Sequence, residues 1–414
     1  MKKLIALMLS ALMLFALLTA AGAETVAPAH LNIWLAGNGE AESNEAYHKI
    51  FDAWVAERSP GSTYELSFIA WSDYFTKLST ALASGEGPDV FMTGYGQLGT
   101  IVSQGHTANL SEKIPADWDG WSDIPENLLN AGKKDGNVYG ILEPATRLYY
   151  VNKEYASYAG VAEEELEVNS LDDLAALAKK LTIYDGNNVQ VSGLHILNEP
   201  SIDSIEQMVQ SIALNFDPDF HMWNADGTAN FNCEAGVKAV QWMKDQLAEG
   251  YNFPSEQGFD QFSNGLCSLY LMAESNYATY ANTLGQENTG ILKSNLNTLL
   301  IGNFITVNAA SKNIDTAVDC LMYMFNPEPL KIKASLGMFP NRVSLYDWYK
   351  TEYPNLAEVP NYFEHSYAYS DTLIPFFTQG IQVFRTAAGE ALNTDTDVKA
   401  ALDAGAEAWN ALIK

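Results

Sequence analysis

The sequence predicts an α/β fold, because apolar strand patterns alternate with amphipathic helical patterns along most of its 414 residues. Three strands open the pattern, at Leu31–Ala36, Tyr64–Ala70 and Asp89–Met92, with one helical pattern between each strand and the next. Crossovers of this kind build parallel sheets with right-handed connections. The chain is also long enough for two domains with separate hydrophobic cores.

The first helix is predicted by a single apolar face that carries Tyr47, Ile50, Phe51 and Trp54 at helical spacing. Beyond the third strand the alternation continues, which favours an α/β class for the whole chain. Further strands are expected within 138–153, 262–272 and 301–309, and further helices within 170–182, 234–250, 313–325 and 398–412.

The second helix leads into the segment ASGEGPDVF, residues 83–91. Ser72 is the expected N-cap of this helix, and Gly85 can end it in a left-handed conformation. Pro88 prevents its continuation, and Asp89 starts the third strand. We expect this turn to set the direction of the strand that follows it. We expect no ligand to bind to the turn itself.

Ligands of open parallel sheets bind beyond the carboxyl ends of the strands. The residues that follow the first three strands should therefore meet at one edge of the sheet. They are Asn38, Gly39 and Glu40 after the first strand, Trp71 after the second, and Thr93, Gly94 and Tyr95 after the third. The sequence therefore predicts a binding site at this edge.

The N-terminus has the pattern of a secretory signal peptide, which we assign to residues 1–23. Lys2 and Lys3 precede an apolar run from Leu4 to Leu18, and Ala21-Gly22-Ala23 forms a small-residue cleavage site. A membrane anchor is the alternative, but the run is shorter than the ~20 residues a span needs. We expect an extracytoplasmic protein, periplasmic or secreted or at the cell surface after cleavage near Ala23.

The net charge of −28 disfavours partners that carry phosphate, because no basic block exists to neutralise them. We therefore predict no binding to nucleic acid, and we expect a monomer. The three cysteines, Cys233, Cys267 and Cys320, lie in apolar contexts without metal-ligand spacing. Buried thiols are the expected state, with a structural disulfide as the alternative.

Motifs of catalysis and cofactor binding are missing from the sequence. It contains no G-x-S-x-G, no H-E-x-x-H, no phosphate loop and no dinucleotide fingerprint. The six histidines are scattered, and none is paired at helical spacing. We predict no cofactor and no metal, although 51 acidic residues leave a glycosidase-type carboxylate pair open.

Five stretches, in order, resemble the family-1 extracellular solute-binding proteins of ABC importers, which include the maltose-binding-protein-like sugar-binding proteins. ALASGEGPDVF is similar to the family's "alasGxxPDv" motif, and FSNGLCSLYLM is similar to its "FxxGkaAM" strand. The remaining three are RLYYVNKEYASYAGV, SLDDLAALAKKLT and FITVNAASKNIDTAVDCLMYMFNPE.

The resemblance implies two α/β lobes of the type II periplasmic-binding-protein kind. Each lobe would have a mixed sheet flanked by helices, with the ligand cleft between the lobes at a hinge. We assign 24–142 with 303–338 to the N-terminal lobe, and 143–302 with 339–414 to the C-terminal lobe. The partners implied are a carbohydrate and the transmembrane subunits of an ABC permease.

The resemblance also places the ligand contacts of the family on this chain. Apolar sugar faces stack on aromatic rings, and sugar hydroxyls bond to carboxylates and amides, which fits these residue types. Core aromatic rings are the alternative for Trp71, Tyr95 and Tyr277, and an exposed turn is the alternative for Glu199. The predicted ligand-binding residues are Asn38, Glu40, Trp71, Thr93, Tyr95, Gln97, Arg147, Glu199, Ser201, Glu274, Tyr277 and Gln379.

Arg147, one of four arginines, falls at a position next to the hinge. A guanidinium there can clamp a carboxylate with two hydrogen bonds, which would indicate an acidic sugar. The alternative is a salt bridge to Glu143 or Glu199.

The leading functional hypothesis is a binding protein that captures a mono- or oligosaccharide by lobe closure and delivers it to a permease. A non-sugar solute, such as a polyol or a glycerophosphodiester, is the first alternative. An extracellular carbohydrate-active enzyme is the second, and release of sugar fragments would reveal it.

Overall fold

The computed structural model describes residues 25–94, 96–199, 205–249, 260–368 and 377–414. The predicted signal peptide and the site residues Tyr95 and Ser201 lie outside these ranges. The chain divides into two compact units. The first unit holds the described part of Met1–Phe91 together with Val307–Met324, and the second holds Met92–Thr306 and Phe325–Lys414. The lobe boundaries derived from the sequence stay a prediction.

The first unit contains two parallel strands that pair along their whole length. β1 pairs with β2 from His30↔Thr63 to Ala36↔Ile69, and with the start of β3 at Ile33↔Val90. This confirms the predicted strand–helix–strand–helix–strand order and the parallel pairing. Its elements are β1 (His30–Ala36), α1 (Ala41–Glu57), β2 (Thr63–Ile69), α2 (Trp71–Ser84), the first residues of β3 (Val90–Gly94) and, from the later segment, α12 (Ile314–Met324).

The apolar face predicted for α1 is buried, and a polar contact joins this helix to α12. Tyr47, Ile50, Phe51 and Trp54 are all part of the core. The Trp54 indole Nε1 donates to Asp319 at 2.9 Å, and Arg58 Nη2 pairs with the same carboxylate at 2.5 Å. α12 is therefore held against α1 by hydrogen bonds as well as by the burial of apolar side chains.

The GEGPD turn joins the end of α2 to β3 as the sequence predicts. Gly85 has φ = 76° and caps α2 in the left-handed conformation. The Asp89 carboxylate accepts from the backbone N–H of Asn32 at 2.8 Å and from Ser311 Oγ at 2.5 Å. The expectation that Ser72 caps α2 is wrong, because Ala70 occupies the N-cap position and the helix begins at Trp71.

The second unit contains a mixed sheet. Its strand order is β13 (Thr298–Val307), β6 (Ile141–Asn152), β10 (Cys267–Ala273), β9 (Asn188–Leu194) and β8 (Ile183–Asp185), with β11 (Thr289–Ile291) on β6 and β14 (Ser366–Ala368) on β13. β6 runs antiparallel to both β13 and β10, whereas β10 and β9 are parallel. Two further strand pairs form small sheets of their own: β4 (Lys133–Lys134) is antiparallel to β5 (Asn137–Val138), and β7 (Glu167–Val168) is parallel to β12 (Lys293–Ser294).

Helices cover this sheet and supply most of the buried apolar side chains around it. The predicted helices near 170–182, 234–250 and 398–412 are all present. The helices of this unit are α3 (Leu98–Ser103), α4 (Leu110–Lys113), α5 (Gly120–Asp123), α6 (Glu126–Ala131), α7 (Lys153–Tyr158), α8 (Leu171–Leu181), α9 (Ile205–Ala213), α10 (Glu234–Ala248), α11 (Tyr277–Leu284), α13 (Pro327–Ala334), α14 (Tyr346–Glu352), α15 (Val359–Glu364), α16 (Phe377–Asn393) and α17 (Val398–Leu412).

The three cysteines are free thiols. Cys267 on β10 and Cys320 on α12 are buried, which fits the expectation of small apolar core residues, and Cys233 is half-buried. None of the described helices is long and apolar enough to cross a membrane.

Candidate functional site

The first candidate site lies where β1 and β2 end, within the first unit. The two strands finish side by side, and the Gly37 N–H donates to the Ile69 carbonyl at 2.9 Å. Asn38 and Glu40 then follow β1 with exposed side chains. Trp71 follows β2 as the first residue of α2 and is 45% exposed. The structure therefore brings the predicted residues after β1 and β2 to one edge.

The exposed Trp71 ring rests on two other aromatic rings. Its centroid lies 5.8 Å from that of Phe75 and 6.2 Å from that of Tyr74. Gly39, in the neighbouring loop, has φ = 65°, and a Cβ there would lie 3.0 Å from the Phe68 side chain. A larger residue would therefore strain the loop that presents Asn38 and Glu40. A supported flat ring beside an amide and a carboxylate can stack on an apolar ligand face and bond its hydroxyls.

The predicted residues in and after β3 differ in accessibility. Thr93 is completely buried, and its Oγ1 has no hydrogen-bond partner among the described residues. Gln97, just before α3, is half-buried. Of these two, Gln97 is the side chain that a solute could reach, and a direct role for Thr93 stays a prediction.

A second candidate site is a buried polar cluster in the second unit. β6 and β10 pair at Arg147↔Ala273, and Glu274 is the residue after Ala273. The Arg147 Nε donates to Gln207 Oε1 at 2.6 Å, and the Thr146 N–H donates to Glu274 Oε2 at 2.9 Å. The structure thus fixes Glu274 to the residue that precedes Arg147, and it adds Gln207, which sequence reasoning missed.

Glu274 is only 2% exposed, and this burial controls its protonation. Burial raises the pKa of Glu274 to about 7, while backbone hydrogen bonds and the nearby Arg147 charge act in the opposite direction. The carboxyl can therefore donate or accept a hydrogen bond near neutral pH, depending on its proton.

A salt bridge to Glu143 or Glu199 is the alternative role for Arg147, and it stays a prediction. Glu143 is paired with Lys333 at 2.7 Å, and the Lys333 side chain is buried. The hydrogen bond from Arg147 to Gln207 orients the guanidinium. Glu199 is half-buried in the extended segment after β9.

Tyr277 and Gln379 occupy different surroundings. Glu274 and Tyr277 line one cavity of about 280 Å³, together with Tyr353 and Gly337. Gln379 is exposed on α16. No contact in the described part of the chain brings Gln379 to the Arg147 cluster.

A buried ion pair stabilises the helix that carries Gln207. Glu206 on α9 accepts two hydrogen bonds from Arg385 on α16, at 2.7 and 2.8 Å, and both residues are buried. Sequence reasoning missed this pair because its partners are 179 positions apart. The available signal was an arginine in a helix of small and apolar residues.

The described residues contain no group of three or more metal-ligating side chains. What they do contain is an accessible aromatic edge and a pre-oriented buried cluster of amide, guanidinium and carboxyl groups. Such an arrangement suits recognition of a polar solute.

A family model for bacterial extracellular solute-binding proteins matches residues 56–361. The chain belongs to this family.

A curated relative of this solute-binding protein is a binding protein of Brucella abortus (strain 2308), 24% identical over 215 residues. The match covers 52% of this chain and 49% of the relative, so the chain spans about half the length of the curated relatives it matches.

Solved structures share the fold of this solute-binding protein. The cyclic α-maltosyl-1,6-maltose binding protein of Arthrobacter globiformis has a TM-score of 0.79 at 21% identity, covering 94% of this chain and 99% of that one. UgpB of Mycobacterium tuberculosis, in complex with glycerophosphocholine, has a TM-score of 0.74 at 16% identity, covering 92% and 98%. These similarities confirm the predicted two-lobe α/β fold class of solute-binding proteins.

Proposed function

We propose that this protein captures a carbohydrate outside the cytoplasm and delivers it, chemically unchanged, to the membrane subunits of an ABC importer. The observation that carries the proposal is Trp71, a supported and exposed ring at the same strand edge as Asn38 and Glu40. A sugar ring has an apolar face for such a surface and hydroxyls for the neighbouring amide and carboxylate. The sugar-binding relative from Arthrobacter globiformis, which shares the fold, supports the same ligand class.

Lobe closure is the mechanism in this proposal. A ligand that contacts both predicted lobes binds the closed state better and shifts the population toward it. No step changes a covalent bond of the ligand, so the protein acts as a monomeric carrier and not as an enzyme. Export by the signal peptide, with cleavage near Ala23, is part of the same proposal.

A second candidate ligand class is anionic, and Arg147 is the observation that favours it. Its guanidinium is oriented by Gln207, as a clamp for a carboxylate or a phosphodiester would need. The resemblance in fold to the glycerophosphocholine complex of UgpB supports inclusion of this class.

The test is a thermal-shift and calorimetric titration of the wild-type protein with maltose, D-glucuronate and glycerophosphocholine. A bound ligand at a hundredfold excess over its Kd should stabilise the protein by about 2.7 kcal/mol. Binding of maltose supports a neutral sugar, and binding of glucuronate alone supports the acidic clamp. Preference for glycerophosphocholine, or release of glucose from maltose, would contradict the carbohydrate-carrier proposal.

A further inference from the structure

A second cavity, of about 550 Å³, lies in the second unit and shares no lining residue with the candidate site described above. It is framed by the N-terminal part of α6, the 3-10 turn Val343–Leu345 with the start of α14, the end of α15, and β14. Its volume falls in the range of small-molecule sites, which run from about 300 to 1,000 Å³.

Aromatic rings form the wall of this cavity, and a second layer holds that wall in place. The lining rings belong to Tyr346, Phe363 and Tyr367. Behind them, Phe339 stacks on Phe363 with centroids 4.1 Å apart and an interplanar angle of 13°, and it contacts Tyr346 at 5.0 Å. The Phe363 and Tyr346 rings are therefore held in place before a ligand binds, so a planar ligand would not have to order them.

The polar groups of this cavity are spread along a mainly aromatic lining. They belong to Asn127, Glu364 and Ser366 and to the phenol hydroxyls of Tyr346 and Tyr367. The Ser366 hydroxyl already donates to the Tyr362 carbonyl at 2.6 Å and contacts Thr146 Oγ1 at 2.5 Å. The engaged serine leaves one carboxylate beside several aromatic rings, which fits an aromatic ring that carries one polar group.

The charges around the cavity favour a cation. Glu364 is the charged residue in the described lining, and no lysine or arginine lines the cavity among the described residues. The nearby Asp123 carboxylate accepts from Ser344 N and Oγ at 2.9 and 2.6 Å and lies 3.6 Å from Arg342 Nη1, so Arg342 balances part of its charge and Glu364 is the carboxylate left to a cation. Arg342 is buried and is also engaged by Asp119 at 2.9 Å, by the Phe325 carbonyl at 2.6 Å and by the Trp118 ring at 5.4 Å.

We propose that this cavity is a second ligand site, which takes an aromatic ring carrying an ammonium group. The ring stacks within the aromatic wall, and the ammonium group faces the Glu364 carboxylate, where aromatic faces add cation–π attraction. The site is independent of the proposed function, since it shares no residue with the Trp71 edge or the Arg147 cluster.

The test is a calorimetric titration of the full protein with two ions that share a phenol ring. Tyramine is the cation, and 4-hydroxyphenylacetate is the anion. Saturable binding of tyramine without binding of the anion is expected. Glu364→Gln should weaken tyramine binding by about fivefold, the upper range for an exposed charge pair. Val343→Trp should abolish binding by filling the mouth, and Val343 is 53% exposed, so the protein should still fold.

Glu407→Gln, an exposed carboxylate on α17, is the matched control and should leave tyramine binding unchanged. Equal binding of both ions, no saturable binding of tyramine, or insensitivity to Val343→Trp would overturn the proposal. Weakening by Trp71→Ala would also overturn it, because the amine would then occupy the strand edge.

Discussion

The two candidate sites, one in each unit, differ in how their side chains are held. The edge after β1 and β2 presents an exposed ring, Trp71, whose support is two neighbouring rings of its own helix. The cluster around Arg147 and Glu274 is buried and connected to α9 through Gln207. Exposed groups cost little to display, whereas buried polar groups must be paired to offset their desolvation. The first region can therefore change with little effect on stability, and the second cannot.

The largest effect on stability is expected from breaking the buried ion pair behind the cluster. Arg385→Leu leaves the Glu206 carboxylate buried without its two hydrogen bonds, which should cost about 3–5 kcal/mol. Urea unfolding measures the loss. Lys77→Leu, which breaks the exposed pair with Asp73, is the control and should change stability by less than about 0.5 kcal/mol. Similar losses of stability in Arg385→Leu and Lys77→Leu would contradict the expected difference between buried and exposed charge pairs.

A pH-dependent effect of intermediate size is expected from Glu274. Its folded-state pKa of about 7 lies above the ordinary value of 4.5, so the folded state binds this proton more tightly. The associated stability is complete below pH 4.5 and is lost as the pH rises through 7. The loss should be on the order of 3 kcal/mol, since the pKa rises from 4.5 to about 7 and each unit of pKa difference is worth about 1.4 kcal/mol.

The measurement is the free energy of unfolding from pH 4.5 to pH 8 for the wild type and Glu274→Gln. The variant should lack this component of the pH dependence, and other carboxyl groups act equally in both proteins. Parallel curves would mean that Glu274 titrates normally.

Substitution of Trp71, at the exposed edge after β2, is expected to have the smallest effect on stability. It is expected to have a clear effect on ligand binding. Trp71→Ala should change the free energy of unfolding by no more than about 0.5 kcal/mol, as for surface substitutions. Affinity for the sugar that the titration identifies should fall by about tenfold, because a stacking surface is lost. Tyr158→Ala, at a ring that is 76% exposed on α7, is the control and should bind normally. Equal affinity in both variants would exclude Trp71 from the site.

The fold was largely predictable because its signals are local. The apolar face of α1, the GEGPD turn and the alternating strands of the first unit each depend on a few neighbouring residues. Ser72 was assigned as a cap on residue type alone, but the chain already turns into the helix at Ala70, where the Asp73 N–H bonds to its carbonyl. A shift of this size in the residue at which a helix begins depends on backbone geometry, which the amino-acid composition does not specify.

The site was less predictable because its contacts are distant in sequence. Gln207 and Arg385 acquire their roles through partners 60 and 179 positions away. Thr93 followed from the position of a strand end, yet its side chain is buried, since every residue of β3 is buried and the strand has no accessible face. Trp71 was found because a strand end and an aromatic residue coincide in a short stretch.

The most direct test of the central claim is calorimetric titration of maltose into the wild-type protein, followed by analysis of the recovered sugar. The account predicts saturable binding to one site per chain, a rise in melting temperature and recovery of intact maltose. Release of glucose would contradict it, and so would the absence of binding to maltose and to glucuronate by a folded protein.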